Sequence, residues 1–258
     1  MKKLLAALSH RIYYVWKRNL VSYKRFAIPT FIASMGEPLL YLVAMGIGLG
    51  SYMGLINGMP YLNFLAPGLL VSTAMFAATY ECTFGAYVRM TVEKVYNALI
   101  VTPLTVEEVV AGEILWGMTR SMFSGFIMLI VLLLFGIAHW SSFLLMPLVW
   151  IAVGFFFSSL AIIITSFAPN FDFFTYYLEL FITPMFFFSG VFFPLDRMPA
   201  VVKVISRFLP LTYAVDISRA FIRGPLGWNI LRDFAILLVA ASILFIWALH
   251  QMKKRLIK

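Results

Sequence analysis

The sequence predicts an all-α protein that crosses a membrane several times, and three observations support this prediction. Charged residues make up 12% of the 258 residues, about half the share found in a soluble domain. Hydrophobic residues make up 62%, and the mean hydropathy is +0.94. The apolar residues also form runs of about 20, the length at which a helix crosses a hydrocarbon core about 30 Å thick.

Six such runs are predicted to be transmembrane spans. They cover residues 28–49, 61–80, 114–138, 143–168, 173–193 and 234–249. We expect them to form one transmembrane domain that occupies residues 1–258. The first loop, 50–60, has no charge, whereas the segment before the first span has only positive charges: Lys2, Lys3, Arg11, Lys17, Arg18, Lys24 and Arg25. Lys and Arg accumulate in short cytoplasmic segments, so both termini of a six-span chain are predicted to be cytoplasmic.

Residues 9–27 are predicted to form an amphipathic helix in the cytoplasmic membrane interface. Apolar positions recur there at steps of three and four, from Ile12 to Phe26, while Arg11, Lys17 and Arg18 lie mostly on other faces. Such a helix places its cations on lipid phosphates and its aromatic residues, including Trp16, in the acyl boundary. The alternative is a positively charged flank without special geometry.

Four ionisable residues lie within or at the end of predicted spans, at similar depth. They are Glu37, Glu81, Arg120 and Glu179. Charged side chains are costly in a bilayer and rarely face lipid, so we predict one ionic layer with three carboxylates around a single guanidinium. The layer either lines a substrate path or fixes helix register, and the residues alone favour neither alternative.

The segment between the second and third spans is where charges return. Residues 91–101 are predicted to form a short cytoplasmic helix ended by Pro103, and Thr105 with Glu108 predicts a capping box that begins the next helix. The short helix carries apolar residues with no evident partner in the chain, namely Val95, Tyr96, Leu99 and Ile100. We therefore expect them to be exposed and covered by a groove of another protein.

The fifth span and the segment after it suggest two further features. Phe174, Tyr177 and Phe181 are candidates for the aromatic lining of a path, and ordinary packing is the alternative. Residues 199–223 are predicted to form two short helices that re-enter the membrane from the outer side. A surface loop whose cations contact lipid phosphates remains the other interpretation of that segment.

The sequence contains none of the motifs expected of a soluble enzyme. Phosphate-binding loops, zinc-protease motifs and nucleophile elbows are missing. The only cysteine is Cys82, and the histidines, His10, His139 and His250, are scattered, so we expect no metal site and no cofactor on this chain. The net charge of +9 is typical of cytoplasmic membrane flanks and predicts contact with lipids rather than nucleic acid.

Several segments, in order, resemble the ABC-2 type permeases, the membrane subunits of ABC exporters. These segments are FAATYECTFGAYVRM, EKVYNALIVTPLT, VVAGEILWGMTR, PMFFFSGVFFPLDRMP and LPLTYAVDISRAF. Within that class the chain is most similar to the nodulation-type lipo-oligosaccharide export permeases. The resemblance implies a multi-pass protein of the bacterial inner membrane that forms a dimer, expected here to be a homodimer, and binds two copies of a separate ATPase subunit, which holds ATP and magnesium.

The resemblance also implies roles for particular segments. The interfacial helix and the 91–101 helix, a coupling helix, would engage the ATPase, so we expect contacts from Arg89, Glu93, Tyr96, Leu99 and Pro103. The first and fifth spans, with Glu37 and Glu179, would lie near the dimer interface and the substrate path. The implied activity is ATP-driven export of an amphipathic substrate such as a lipo-oligosaccharide, glycolipid, lipid or drug.

Two other functions fit the residues less well. A proton-coupled secondary transporter would use Glu37 and Glu179 as proton carriers, but such proteins usually contain inverted repeats, and none is visible. A membrane enzyme acting on lipids would have a cluster of polar residues at the interface, whereas the carboxylates of this sequence are scattered.

Overall fold

The computed structural model describes residues 9–25, 36, 38–53, 55–56, 58–138, 142–223 and 227–257. Within these ranges the chain is helical, and the only β-type pairing is an isolated bridge between Ile56 and Met59. The helices are α1 (Ile12–Lys24), α2 (Pro38–Ser51), α3 (Tyr61–Val92), α4 (Val95–Ile100), α5 (Val106–Leu134), α6 (Ser142–Phe167), α7 (172–188), α8 (Ala200–Ser206), α9 (Pro210–Arg223) and α10 (Trp228–Leu256).

Four of these helices, α3, α5, α6 and α10, are long and apolar enough to cross a membrane. They correspond to the predicted spans 61–80, 114–138, 143–168 and 234–249, and they make the chain a multi-pass membrane protein. Helix α3 continues to Val92, well beyond the predicted end of its span. The first predicted span, 28–49, lies partly outside the described residues, and the fifth corresponds to α7. The six-span count and the sides of the termini remain predictions.

The helices pack into a bundle with α3 at its centre. Of the 18 residues in the most apolar stretch of α3, 83% are buried, whereas only 17% are buried in the corresponding stretch of α10, so α10 lies at the periphery. The main interior contains large side chains such as Leu65, Trp150 and Phe157. A second buried group joins the far end of α3 to α5, α6 and α10 through residues such as Tyr87, Val109 and Leu249.

Helices α2, α3 and α7 contain wider π-helical turns. In α3 these turns cover Glu81–Gly85 and Val88–Val92, and in α7 one covers Leu178–Ile182. In α2 the segment Leu42–Gly48 is π-helical and Leu49–Ser51 forms a 3₁₀ turn. π-helical turns inside α-helices often lie at functional sites because they redirect the side chains beside them.

The segment between α7 and α10 folds as the sequence predicts. Helices α8 and α9 are the two short helices predicted within residues 199–223, and they follow a short 3₁₀ turn at Leu195–Arg197. Helix α9 is held against the start of α3, where the Ser218 hydroxyl donates a hydrogen bond to the Pro67 carbonyl at 2.9 Å. Whether this hairpin re-enters the membrane remains a prediction.

Candidate functional site

Two acidic and two basic side chains from α3 and α5 form a buried ionic cluster: Glu81, Arg89, Glu113 and Arg120. Arg89 lies between the two carboxylates, with Nη1 2.8 Å from Glu81 Oε1 and Nη2 2.6 Å from Glu113 Oε2. Arg120 Nε lies 3.2 Å from Glu81 Oε2. The four side chains are at most 14% exposed. The formal charges balance, so each buried ion has an opposite charge beside it.

The backbone of α3 makes room for this cluster. Gly85 lies between Glu81 and Arg89 on the π-helical stretch of α3. A Cβ atom at Gly85 would lie 2.9 Å from Glu81 Oε1 and 3.2 Å from Arg89 Nη1. Any side chain at this position would therefore push the ion pair apart.

A cavity of about 320 Å³ opens beside the Glu81–Arg120 ion pair. It lies between α2, α3, α5 and α7, and its volume is within the range of about 300–1,000 Å³ found for small-molecule sites. Hydroxyl groups and aromatic rings make up much of the remaining wall: Ser72, Thr73, Ser124, Tyr41, Phe76, Tyr80 and Phe186. Such a cavity suits an amphipathic group whose polar part lies at the ion pair and whose apolar part contacts the rings.

Helix α1 is joined to the ionic cluster. The buried Asn19 amide donates a hydrogen bond to Glu113 Oε1 at 3.0 Å. The Arg120 guanidinium lies 4.3 Å from the centre of the Tyr23 ring, within the range of a cation–π contact. The helices also approach closely at Gly112, where a Cβ atom would lie 2.5 Å from Val15 Cβ. The predicted amphipathic helix is present, and its buried face packs on α5.

The other predicted residues of α1 lie around this contact. Trp16 Nε1 donates a hydrogen bond to Thr119 Oγ1 at 2.9 Å, so the tryptophan is attached to α5. Arg11 donates a hydrogen bond to the Pro103 carbonyl, and Arg18 lies 3.7 Å from the Glu93 carboxylate. Lys17 is exposed. The location of α1 in the membrane interface stays a prediction.

The predicted helix 91–101 differs in two ways from the observed structure. Its first two residues end α3, and the separate helix α4 covers only Val95–Ile100 after Lys94, whose φ of 53° is left-handed. The expectation that Tyr96 is exposed was wrong: the side chain is fully buried. It belongs to the buried group that contains Val106 and Val109 of α5, because α4 folds back onto that helix. Burial raises the pKa of the Tyr96 hydroxyl well above its usual range, and the nearby Glu113 adds to this effect.

The surface beside α4 is formed by other residues. Val92 is 63% and Val101 86% exposed, and the Glu93 side chain is 52% exposed. Pro103 is exposed, whereas Leu99 is half-buried.

The predicted capping box at the start of α5 is confirmed. The Thr105 amide donates to Glu108 Oε2 at 2.8 Å, and the Glu108 amide donates to Thr105 Oγ1 at 3.2 Å.

The predicted ionic layer is correct for one pair and wrong for another member. Glu81 and Arg120 are paired, as predicted, but Glu179 is exposed on α7 and forms none of the ion pairs found among the described residues. Within the π-helical turn of α7, Leu178 and Ile182 are buried, whereas Glu179 lies on the exposed face of the helix. Glu37 lies outside the described residues.

The sequence analysis missed two members of the cluster. Arg89, expected to contact the ATPase, is buried between two carboxylates, because α3 continues past the predicted end of its span. Glu113 was not predicted, although it lies two helical turns before Arg120 on the same helix, a spacing that places both residues on one face. That spacing was the signal in the sequence that could have identified it.

The predicted path aromatics do not line the cavity. Phe174 is fully buried, with its ring centre 5.2 Å from that of Phe84, and Tyr177 is 7% exposed. Phe181 is 62% exposed on the outer surface of α7. The rings at the cavity are instead those of Tyr41, Phe76, Tyr80 and Phe186.

A multi-pass helical bundle with an amphipathic cavity between its helices has the architecture of a membrane transport protein. The chain belongs to the ABC-2 type transporter family, whose model matches residues 10–222. It is therefore of the class of membrane transport subunits rather than enzymes, and its family implies an ABC ATPase as partner.

Individual relatives cover nearly the full length of the chain. It is 33% identical over 243 residues to Nodulation protein J of Sinorhizobium fredii, covering 94% of this chain and 93% of that protein. The identity to Nodulation protein J of Rhizobium leguminosarum bv. viciae is 33% over 244 residues, covering 95% and 94%. The inner membrane transport permease YadH of Escherichia coli K12 is 26% identical over 245 residues, covering 92% and 93%.

Proposed function

We propose that this chain is the permease subunit of an ATP-driven exporter in the bacterial inner membrane. It moves an amphipathic substrate outward, such as a lipo-oligosaccharide, glycolipid, lipid or drug, while a separate ATPase subunit binds ATP and magnesium. The observation that carries this proposal is the amphipathic cavity beside the Glu81–Arg120 ion pair, which belongs to a buried cluster in contact with α1. Family membership and the names of the relatives support the transport role.

In this proposal the substrate binds with its polar group beside Glu81 and Arg120. Its apolar part lies against Phe76 and Phe186 on the opposite wall. The Ser72 and Thr73 hydroxyls donate to carbonyls of their own helix, at 2.8 and 2.9 Å. Their oxygens are then acceptors for donors of the substrate.

The partner ATPase binds the exposed surface beside α4, which we define as Val92, Glu93, Val101 and Pro103. These residues surround the buried Tyr96, which anchors α4 to α5. Displacement of α4 would pass through Tyr96 to its neighbours Glu113 and Arg89, and then through Glu81 to the cavity. Arg89 and Tyr96 thus transmit the movement from inside the protein, while Glu93 and Pro103 contact the partner.

The permease works as a homodimer that binds two ATPase subunits. The support comes from the outer face of α7, where Tyr176, Leu180 and Phe181 are 65%, 73% and 62% exposed around Glu179. A carboxylate facing lipid is costly, so a second copy or a water-lined path between copies is the favoured environment for this face.

Purification with the ATPase encoded by a neighbouring gene tests the proposal. Val101→Asp places a charge at the most exposed apolar residue of the partner surface, and we expect at least tenfold less ATPase to co-purify. The matched control is Tyr52→Asp, at a side chain that is 90% exposed in the loop predicted to be outside. That variant should retain the ATPase.

Transport in proteoliposomes distinguishes the ATP-driven exporter from a proton-coupled transporter. The complete complex should move a fluorescent lipid only with ATP, and Val101→Asp should lose this activity. Undiminished ATPase binding by Val101→Asp contradicts the assignment of the partner surface. Transport by the isolated chain under a pH gradient alone contradicts the proposed function and favours a proton-coupled transporter.

A further inference from the structure

A second cavity of about 450 Å³ lies at the other end of α3 from the ionic cluster. The first turns of α3, the turn after Pro194 and helix α9 form its walls. Its lining residues are Met59, Asn63, Phe64, Pro67, Pro194, Leu195, Asp196, Asp216, Arg219 and Ala220. None of them lines the first cavity, and the volume again suits a small polar group with some apolar contact.

Arg219 is held in place at this cavity. Its Nη2 donates a hydrogen bond to the Gly190 carbonyl at 2.5 Å, and its guanidinium carbon lies 3.9 Å from the centre of the Phe64 ring. Burial lowers the pKa of Arg219 to about 10, so the group is charged at neutral pH. Its Nε is buried and has no hydrogen-bond partner among the residues that the structure describes. The guanidinium also forms part of the cavity wall, and its N–H groups that face the cavity can donate to a ligand that offers an acceptor.

The acidic residues at the cavity differ from those of the ionic cluster. Asp196 and Asp216 are exposed, and neither carboxylate forms an ion pair or accepts a hydrogen bond in the described part of the chain. With Arg219 the cavity carries a formal charge of −1, from two carboxylates and one guanidinium. It therefore favours a ligand with a cationic donor, and the Arg219 guanidinium in the cavity wall favours an acceptor on the same ligand.

We propose that this cavity binds a zwitterionic head group, with an ammonium beside Asp196 and Asp216 and a phosphate beside Arg219. Ethanolamine phosphate, the head group of an aminophospholipid, has this chemistry. We take this head group to belong to a lipid, because the adjacent helix α8 offers apolar side chains to acyl chains. Val201, Val204 and Ile205 on that helix are 69%, 54% and 48% exposed. The inference rests on the proposed function only in assigning this end of α3 to the outer leaflet.

Native mass spectrometry of the full-length chain tests the proposal. The protein is purified in a detergent without sugar or phosphate groups and mixed with equal amounts of phosphatidylethanolamine and phosphatidylglycerol. We expect selective retention of phosphatidylethanolamine, and about tenfold weaker retention by Asp216→Asn, because a hydrogen bond between two charged groups is lost. Asp196→Asn should weaken retention in the same direction.

The control variant is Asp172→Asn, an exposed aspartate at the other end of α7 that does not line the cavity. It should retain the lipid as the unmodified chain does. Competition with soluble glycerophosphoethanolamine shows which part of the lipid is bound. Displacement of the lipid shows that the head group suffices for binding, and lack of displacement shows that the acyl chains contribute. Both results agree with the proposal if the selectivity depends on Asp216.

Equal retention of the two lipids, or selectivity unchanged in both aspartate variants, would overturn the lipid site. So would displacement of the lipid by cellobiose, because a neutral sugar would then be the preferred ligand. Co-purification of the ATPase with the unmodified chain is scored separately. Its failure contradicts the proposed function and leaves the lipid result standing.

Discussion

The two ends of α3 both carry acidic and basic groups, but only one end pairs all of them within the protein. At the ionic cluster, Arg89 contacts Glu81 and Glu113 at 2.8 and 2.6 Å. At the second cavity, Asp216 is exposed and Arg219 is turned onto Phe64 instead of a carboxylate. Charges in a low-dielectric interior need partners from the same chain, whereas charges at a surface are available to ligands. The comparison predicts large stability effects at the first end and small ones at the second.

The largest effect is expected for Arg89→Gln. Removal of this guanidinium leaves two buried carboxylates facing each other, and loss of one partner of a buried ion pair costs about 3–5 kcal/mol. The midpoint of thermal unfolding of the purified protein measures this loss. The double variant Arg89→Gln with Glu113→Gln should recover part of the stability. A single variant as stable as the unmodified protein would show that water solvates the cluster.

A smaller effect is expected for Gly85→Ala, which changes no charge. The added Cβ would lie 2.9 Å from Glu81 Oε1, and overpacking of this kind costs about 1–3 kcal/mol. Gly48→Ala is the matched control, since its Cβ would meet no atom closer than 3.8 Å. Comparable unfolding midpoints for the two variants would mean that the ion pair moves aside without cost.

The smallest effect is expected for Asp216→Asn. Because its carboxylate forms no ion pair within the described residues, its loss should change the free energy of unfolding by no more than about 0.5 kcal/mol. The variant should differ from the unmodified protein in lipid selectivity and hardly at all in its unfolding midpoint. A large loss of stability would mean that Asp216 serves the fold, and the contrast between the two ends of α3 would disappear.

Local features were predicted well. The Thr105–Glu108 capping box and the helices of residues 199–223 depend on neighbours in the sequence, and the structure contains both. The pairing of Glu81 with Arg120 was also found, because the depth of a residue in a predicted span follows from its distance along the helix.

Errors arose where the packing of distant segments decides the outcome. The end of α3 was placed at residue 80 because charges begin there, yet those charges pair with one another and the helix continues to Val92. Arg89 therefore lies inside the protein. Tyr96 was expected to need a partner chain, but α5 of the same chain covers it.

The sequence by itself determined the class of protein, the positions of the long apolar helices and the cap that begins α5. These follow from composition, from the thickness of a bilayer and from hydrogen bonds between near neighbours. Only the tertiary structure decided which charges meet. Glu113 joins Arg89 while Glu179 remains at the surface, because the rotation of each helix about its axis depends on the π-helical turns and on the neighbours against which it packs.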